Sequence, residues 1–165
     1  MSLIAAVLHT QNDALRLGRA LETLYPCDEI LVVDHGSRDQ TVHLARDYGA
    51  LVTVADAGAS PDDYLRFLKS GPASPPWILC LDPRESLTES LAASLFEWKA
   101  NQSDRPAKSP FSVFVREETA DGWIDIPKPQ TRLVPCDWKQ WNGALPVTDT
   151  SAVALEGELL RFIFP

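Results

Sequence analysis

Glu29-Ile30-Leu31-Val32-Val33-Asp34-His35-Gly36-Ser37-Arg38-Asp39-Gln40-Thr41 is the stretch whose reading decides the fold. Ile30 to Val33 is a short, uninterrupted, β-branched-rich apolar run, the pattern of a strand covered on both faces. The run ends in a carboxylate, turns at Gly36, and offers Ser37 or Asp39 as a cap for a following helix. Asp34 therefore sits at the carboxyl edge of a buried strand, the side on which open α/β sheets bind their ligands.

Outward from this corner, strand-like and helix-like patterns alternate. Ala14, Leu17, Leu21 and Leu24 share a helical face behind Asn12 or Asp13, either of which can cap it. Val42, Ala45 and Tyr48 repeat that spacing, and Gly49 is a C-terminal stop. Leu51 to Val54 reads as a third strand. Ser60-Pro61-Asp62-Asp63 opens a helix, with Ser60 capping, Pro61 in the first turn and two acids near the positive end of the dipole. Pro72, Pro75 and Pro76 then end that segment and deliver the chain into Trp77-Ile78-Leu79-Cys80-Leu81. Ser86-Leu87-Thr88-Glu89 has capping-box spacing ahead of Leu91, Leu95 and Trp98. Alternation of this kind predicts an α/β fold with a mainly parallel sheet and right-handed crossovers.

The last third is less regular. Asn101 to Pro110 is polar and contains proline, so an exposed loop is expected. Phe111 to Arg116 alternates in polarity, and Ala120-Asp121-Gly122 turns the chain into Trp123-Ile124-Asp125-Ile126, which predicts a β-hairpin. Trp138 and Trp141 near Asn142-Gly143 either form a platform for a sugar ring or plug the sheet. Leu159 to Pro165 carries five large apolar residues, so it must pack, either in the chain's own sheet or across a homodimer.

At 165 residues and 45% hydrophobic, the chain fits one core, and a single domain over residues 1–165 is expected. A net charge of −8 disfavours nucleic acid and anionic membranes, both of which need a cationic footprint. No apolar run is long enough to span a bilayer, and the first residues lack a leader pattern, so a cytoplasmic location is expected. The cysteines, Cys27, Cys80 and Cys136, are odd in number and widely spaced, as in reduced thiols, and Cys80 reads as a small buried hydrophobe. His9 and His35 fall near the predicted site edge, where His35 can touch a bound base.

Taken together, Leu3 to Leu8 with His9-Thr10-Gln11-Asn12-Asp13, the run from Cys27 to Asp34, and Trp77 to Asp82 resemble the first strand, second strand and acid-motif strand of the family 2 glycosyltransferases. The resemblance covers residues 3 to 95 and is to the short bacterial type; Gln130-Thr131-Arg132-Leu133-Val134 faintly matches a downstream element. It implies a GT-A-like three-layer sandwich, with residues 1–100 as nucleotide-binding half and 101–165 as a shortened acceptor-side half. It also implies transfer of a sugar from a nucleotide diphosphate donor to a hydroxyl acceptor on a glycan or lipid-linked molecule. The residues it assigns to the nucleotide sugar are Thr10, Asn12, Asp13, Asp34, Gly36, Ser37, Asp82 and Arg84.

The chain departs from the family pattern at Asp82-Pro83-Arg84-Glu85, where Arg84 replaces the second acid of the usual Asp-x-Asp. Mg²⁺ or Mn²⁺, the metal the resemblance implies, needs hard oxygen ligands, here only Asp82 and Glu85, and a guanidinium beside them repels it. Arg84 instead suits the oxygens of a diphosphate. Two functions follow, an active glycosyltransferase and an inactive relative acting as a nucleotide-binding or partner-binding module. The catalytic base is not identifiable from sequence; Glu117, Glu118, Asp137 and Asp149 qualify as acids that follow the donor half.

Overall fold

The structure is a computed structural model, and the residues it describes are 2–68, 76–101 and 109–165. Pro72, Pro75 and most of the expected 101–110 loop lie outside them. Strands β1 (Ile4–Thr10), β2 (Glu29–Asp34), β3 (Leu51–Val54) and β4 (Trp77–Leu81) form a parallel block in the order β3-β2-β1-β4. β8 (Gln130–Pro135) runs antiparallel to β4, and β6 (Phe111–Thr119) antiparallel to β8. β11 (Val153–Arg161) is parallel to β6, and β5 (Glu85–Leu87) closes the order antiparallel to β11. The predicted hairpin is present, β7 (Gly122–Asp125) pairing with β6 from Thr119↔Gly122 to Arg116↔Asp125. β9 (Trp141–Asn142) and β10 (Leu145–Pro146) form a separate two-stranded ribbon packed against the main sheet.

The three layers follow from the two-residue period of β1. Ile4, Ala6 and Leu8 face a core shared with helices α1 (Leu17–Glu22), α2 (Thr41–Asp47) and α4 (Glu89–Ala100). Ala5 and Val7 face the opposite side, where Tyr64 of α3 (Pro61–Leu65) and the partly buried Trp138 and Trp141 pack. Fully buried leucines such as Leu31, Leu79 and Leu95 supply the main cohesion, at about 1.5–3 kcal/mol each. Cys80 is buried among them, and burial pushes its thiol up to about 12, that of an inert hydrophobe.

Several local expectations are corrected by tertiary context. Helix α1 starts at Leu17, because the Asp13 carbonyl accepts from Arg16 and Leu17 in a preceding turn, while Asn12 adopts φ 54. The buried face of α2 is Thr41 and Ala45, while Tyr48 lies outside and donates to Glu22 Oε1 at 2.7 Å. The α2 cap is Gln40; Ser37 and Asp39 serve the loop in other ways described below. Ser86 and Leu87 belong to β5, leaving Thr88 alone as the α4 cap, its hydroxyl accepting the Leu91 N–H at 3.2 Å. By contrast, Ser60 caps α3 as expected, with Asp63 completing a capping box, and Gly49 (φ 81) ends α2 as read.

Residues 159–161 lie inside β11, so this part of the apolar C-terminal segment completes the chain's own sheet. Gly157 permits the close approach behind it, since a Cβ there would fall 2.3 Å from the Leu91 nitrogen at the start of α4. No helix among the described residues is long and apolar enough to cross a membrane.

Candidate functional site

Two loops at the carboxyl edge of β1 and β2 are sewn to each other. Register pairing ends at Thr10↔Asp34, so both loops leave the sheet side by side. Asp34 is 3% exposed; Oδ2 accepts the N–H groups of Gly36 (3.2 Å) and Ser37 (3.0 Å), and Oδ1 accepts the Ser37 hydroxyl. Ser37 Oγ in turn accepts the Asn12 N–H at 2.9 Å, and Asn12 Oδ1 accepts the Arg38 N–H at 2.8 Å. Asp13 folds back, Oδ2 accepting from the Thr10 hydroxyl (2.7 Å) and the Gln11 N–H (3.1 Å), while its own N–H donates to Thr41 Oγ1 (2.9 Å). Asp39 accepts the Thr41 N–H at 2.9 Å, and the Thr41 hydroxyl holds its carboxyl below the usual range. Asp34 is thus the organiser of the turn, and the solvent-facing rim is made by Gln11, Asn12, Gly36 and Arg38.

Beneath this rim, His9 Nδ1 and His35 Nε2 are 2.8 Å apart, their rings stacked at 17°, with His9 edge-on to Tyr64. Burial, and then His35, push the His9 imidazole down to about 4. The pair shares one proton when neutral. Each histidine stood near the site edge in the sequence, but nothing in their spacing says that they meet. The register that sets Thr10 opposite Asp34 is the signal, because it brings residue 35, just past the end of β2, beside the end of β1 where residue 9 lies. Tyr64 also lines an open cavity of about 540 Å³ at the end of β3, with Thr53, Ala55, Asp56, Asp63 and Arg66.

Past β4 the acid motif is closed by its own arginine. Arg84 Nε donates to Asp82 Oδ1 at 2.9 Å and Nη2 to Oδ2 at 3.2 Å, with side chains 37% and 32% exposed. Burial opposes ionisation of Asp82, but the Arg84 hydrogen bonds and charge prevail and hold its carboxyl below the usual range. Glu85 points inward and is 0% exposed. Its Oε1 accepts from Arg132 Nη1 (2.6 Å) and from the Asp82 N–H (2.8 Å), and its Oε2 from Arg132 Nη2 (2.9 Å) and Arg161 Nη2 (2.9 Å).

The two acids therefore do not fit a divalent cation, because guanidinium groups occupy both carboxylates; no group of three His, Cys, Asp or Glu among the described residues is arranged to hold a metal. The reading of Glu85 as a metal ligand is revised to that of a buried hub. Arg84 is engaged by its own motif's acid.

Trp138 and Trp141 pack against the Tyr64 side of the sheet and donate to the carbonyls of Gln140 and Trp138, as sheet plugs do. Arg132, from the faint downstream match, and Arg161, which the sequence did not single out, join Asp82, Glu85 and Glu117 in one cluster.

No family model matches the chain. A TPR repeat-containing protein of Synechococcus elongatus is 32% identical over 136 residues, 81% of this chain and 31% of that protein. An uncharacterized glycosyltransferase of Rickettsia prowazekii is 40% identical over 55 residues, 33% of this chain and 19% of that protein. The chain thus spans a third or less of the length of these curated relatives. Among solved structures, residues 1–349 of S. aureus TarS superpose with a TM-score of 0.56 at 16% identity, covering 76% of this chain and 38% of that one. Mannosyl-3-phosphoglycerate synthase of Rubrobacter xylanophilus gives 0.53 at 22%, covering 73% and 42%. With helices on both faces of its sheet, a parallel block at one side and a hairpin in its last third, the chain has the GT-A glycosyltransferase fold.

Proposed function

We propose that the chain binds a nucleotide diphosphate sugar at the carboxyl edge of β1, β2 and β4 and transfers the sugar to a hydroxyl acceptor. The observation that carries this reading is the stitched loop pair, in which a buried Asp34 spends its hydrogen bonds on shaping a rim at the ligand-binding edge. Asn12 and Gly36 of that rim, with Thr10, Asp13 and Ser37 behind it, would take the nucleoside, with the open cavity beside Tyr64 and Arg66 receiving the base. Asp82 and Arg84 would take the ribose and diphosphate, Arg84 turning from Asp82 to the phosphate oxygens and supplying charge in place of a metal. Residues 1–100 act as the donor half and 101–165 as the acceptor half of one unit.

The closed Asp82–Arg84 pair favours a second reading, a non-catalytic relative that keeps the nucleotide or a partner bound without turnover. Calorimetric titration with UDP, GDP and their sugar conjugates, with and without Mn²⁺, tests the first step shared by both. Micromolar binding that Mn²⁺ leaves unchanged is the expected outcome, and absence of binding to every nucleotide overturns the donor-site assignment.

A further inference from the structure

We infer that Glu117 is the catalytic base, the group that takes the proton from the acceptor hydroxyl in the transfer proposed above, on which this inference rests. The topology carries Glu117 to the site. Because β8 is antiparallel to both β4 and β6, β6 runs in the same direction as β4, and its final residues reach the same edge of the sheet as Asp82. β11 is parallel to β6 and ends at Arg161, which pairs in register with both Glu117 and Glu85.

The side chains complete the link. Arg161 spans the gap, Nη1 donating to Glu117 Oε2 at 3.0 Å and Nη2 to Glu85 Oε2 at 2.9 Å, and Glu85 Oε1 holds the Asp82 N–H at 2.8 Å. Glu117 also acts on the Arg84 guanidinium, raising its proton affinity along with Asp82 and Glu85. The Glu117 side chain is 28% exposed, and among the described residues its Oε1 makes no hydrogen bond. One oxygen is thus fixed by a guanidinium, and the other carries no hydrogen bond among the described residues, which leaves it open to an approaching hydroxyl.

The remaining carboxylates at this edge are committed elsewhere. Asp34 and Asp13 hold the loops, Asp82 is closed by Arg84, and Glu85 is buried between Arg132 and Arg161. Glu118 is the next residue on β6, so it points to the opposite face, opposite Trp123 in register, and its Oε1 accepts the Phe164 N–H at 3.0 Å. Asp149 is tied to Ser151 at 2.6 Å beside the small cavity of Trp138 and Val147.

In the step assigned to Glu117, the acceptor O–H bond breaks and its proton passes to Oε1. The acceptor oxygen's electron pair forms the bond to the anomeric carbon, whose bond to the phosphate oxygen breaks. That electron pair leaves with the nucleoside diphosphate. Glu117 returns its proton to solvent before the next turnover.

Release of nucleoside diphosphate from UDP-glucose and GDP-mannose, with water and glycerol as hydroxyl acceptors, tests the assignment. Glu117→Gln should lower kcat about 100-fold or more and abolish the acid limb of the kcat–pH profile, with nucleotide Kd and Tm near those of the unmodified chain. Glu117→Asp should retain a measurable part of the rate and keep the acid limb. Glu118→Gln, on the other face, should match the unmodified chain. A Glu117→Gln rate within about threefold of the unmodified chain, an acid limb that persists in the residual rate of Glu117→Gln, or a Glu117→Asp rate as low as that of Glu117→Gln overturns the assignment. Nucleotide binding with no release by the unmodified chain overturns the base and leaves the donor site standing, whereas absence of binding overturns the donor site itself.

Discussion

Arg132 Nη1 and Glu85 Oε1 lie 2.6 Å apart where both side chains are almost wholly buried, 1% and 0% exposed. The pair joins β8 to β5 and fixes the backbone of Asp82, since the same Glu85 oxygen accepts the Asp82 N–H. Two charges withdrawn from water are tolerable only when they are paired and hydrogen-bonded, and both terminal nitrogens of Arg132 meet this through Glu85, Gln130 and the Cys80 carbonyl, while its buried Nε has no partner among the described residues.

Removing one partner leaves the other charge uncompensated. Glu85→Ala should therefore destabilise the chain by about 3–5 kcal/mol, read by urea unfolding. Arg132→Met should cost a comparable amount, and Glu85→Ala with Arg132→Met together should cost less than the two losses added. An additive double mutant contradicts the pairing.

The depressed carboxyl of Glu85 sets an acid limit on stability. Burial alone would raise it, but Arg132, then Arg161, hold it below its ordinary value. A carboxyl lowered in the fold contributes stability above its unfolded value, and that contribution disappears as pH falls through the folded one. Unfolding free energy should fall below about pH 4.5, and the fall should shrink in the double variant.

His9 acts in a higher window. Its imidazole, normally near 6.5, is pushed down to about 4, so the unfolded chain binds the proton first. Stability is complete above pH 6.5 and is lost as pH falls toward 4. Tm measured between pH 7 and 5, above the carboxylate range, should decline in the unmodified chain and stay flatter in His9→Phe. Equal slopes would show that His9 does not titrate as its surroundings require.

Asp34→Ala removes the acceptor for Gly36, Ser37 and the Ser37 hydroxyl together. We expect a loss of about 1–3 kcal/mol in stability and weaker nucleotide binding through a disordered rim. Ser37→Ala should show the same direction at about half the size or less, since Asp34 keeps its backbone donors. Nucleotide affinity unchanged in both variants would remove the rim from the binding site.

Arg84→Asp should alter metal response, because it removes the guanidinium that occupies Asp82 and adds an oxygen ligand beside it. Mn²⁺ should strengthen nucleotide binding to this variant by tenfold or more while leaving the unmodified chain unaffected. Tight Mn²⁺ binding by the unmodified chain, lost in Asp82→Ala, would contradict the closed pair.

Local chemistry made much of the fold legible in sequence. The apolar run before Asp34, the strand at Leu51–Val54, the Ser60 cap and the two-residue turn into β7 depend on periods and turn residues a few positions apart. What decided the site was contact between distant segments. Ser86 and Leu87 carry a capping pattern yet form a strand, because β11, whose Leu160 pairs with Ser86, offers an edge there. His9 meets His35 across 26 residues, Glu85 meets Arg132 across 47 and Arg161 across 76, and in each case strand order supplies the proximity. Residue type alone told that Glu85 and Glu117 are acids. Only the sheet, by running β6 alongside β11 and in the direction of β4, buried the first between two guanidiniums and left the second partly open at the edge.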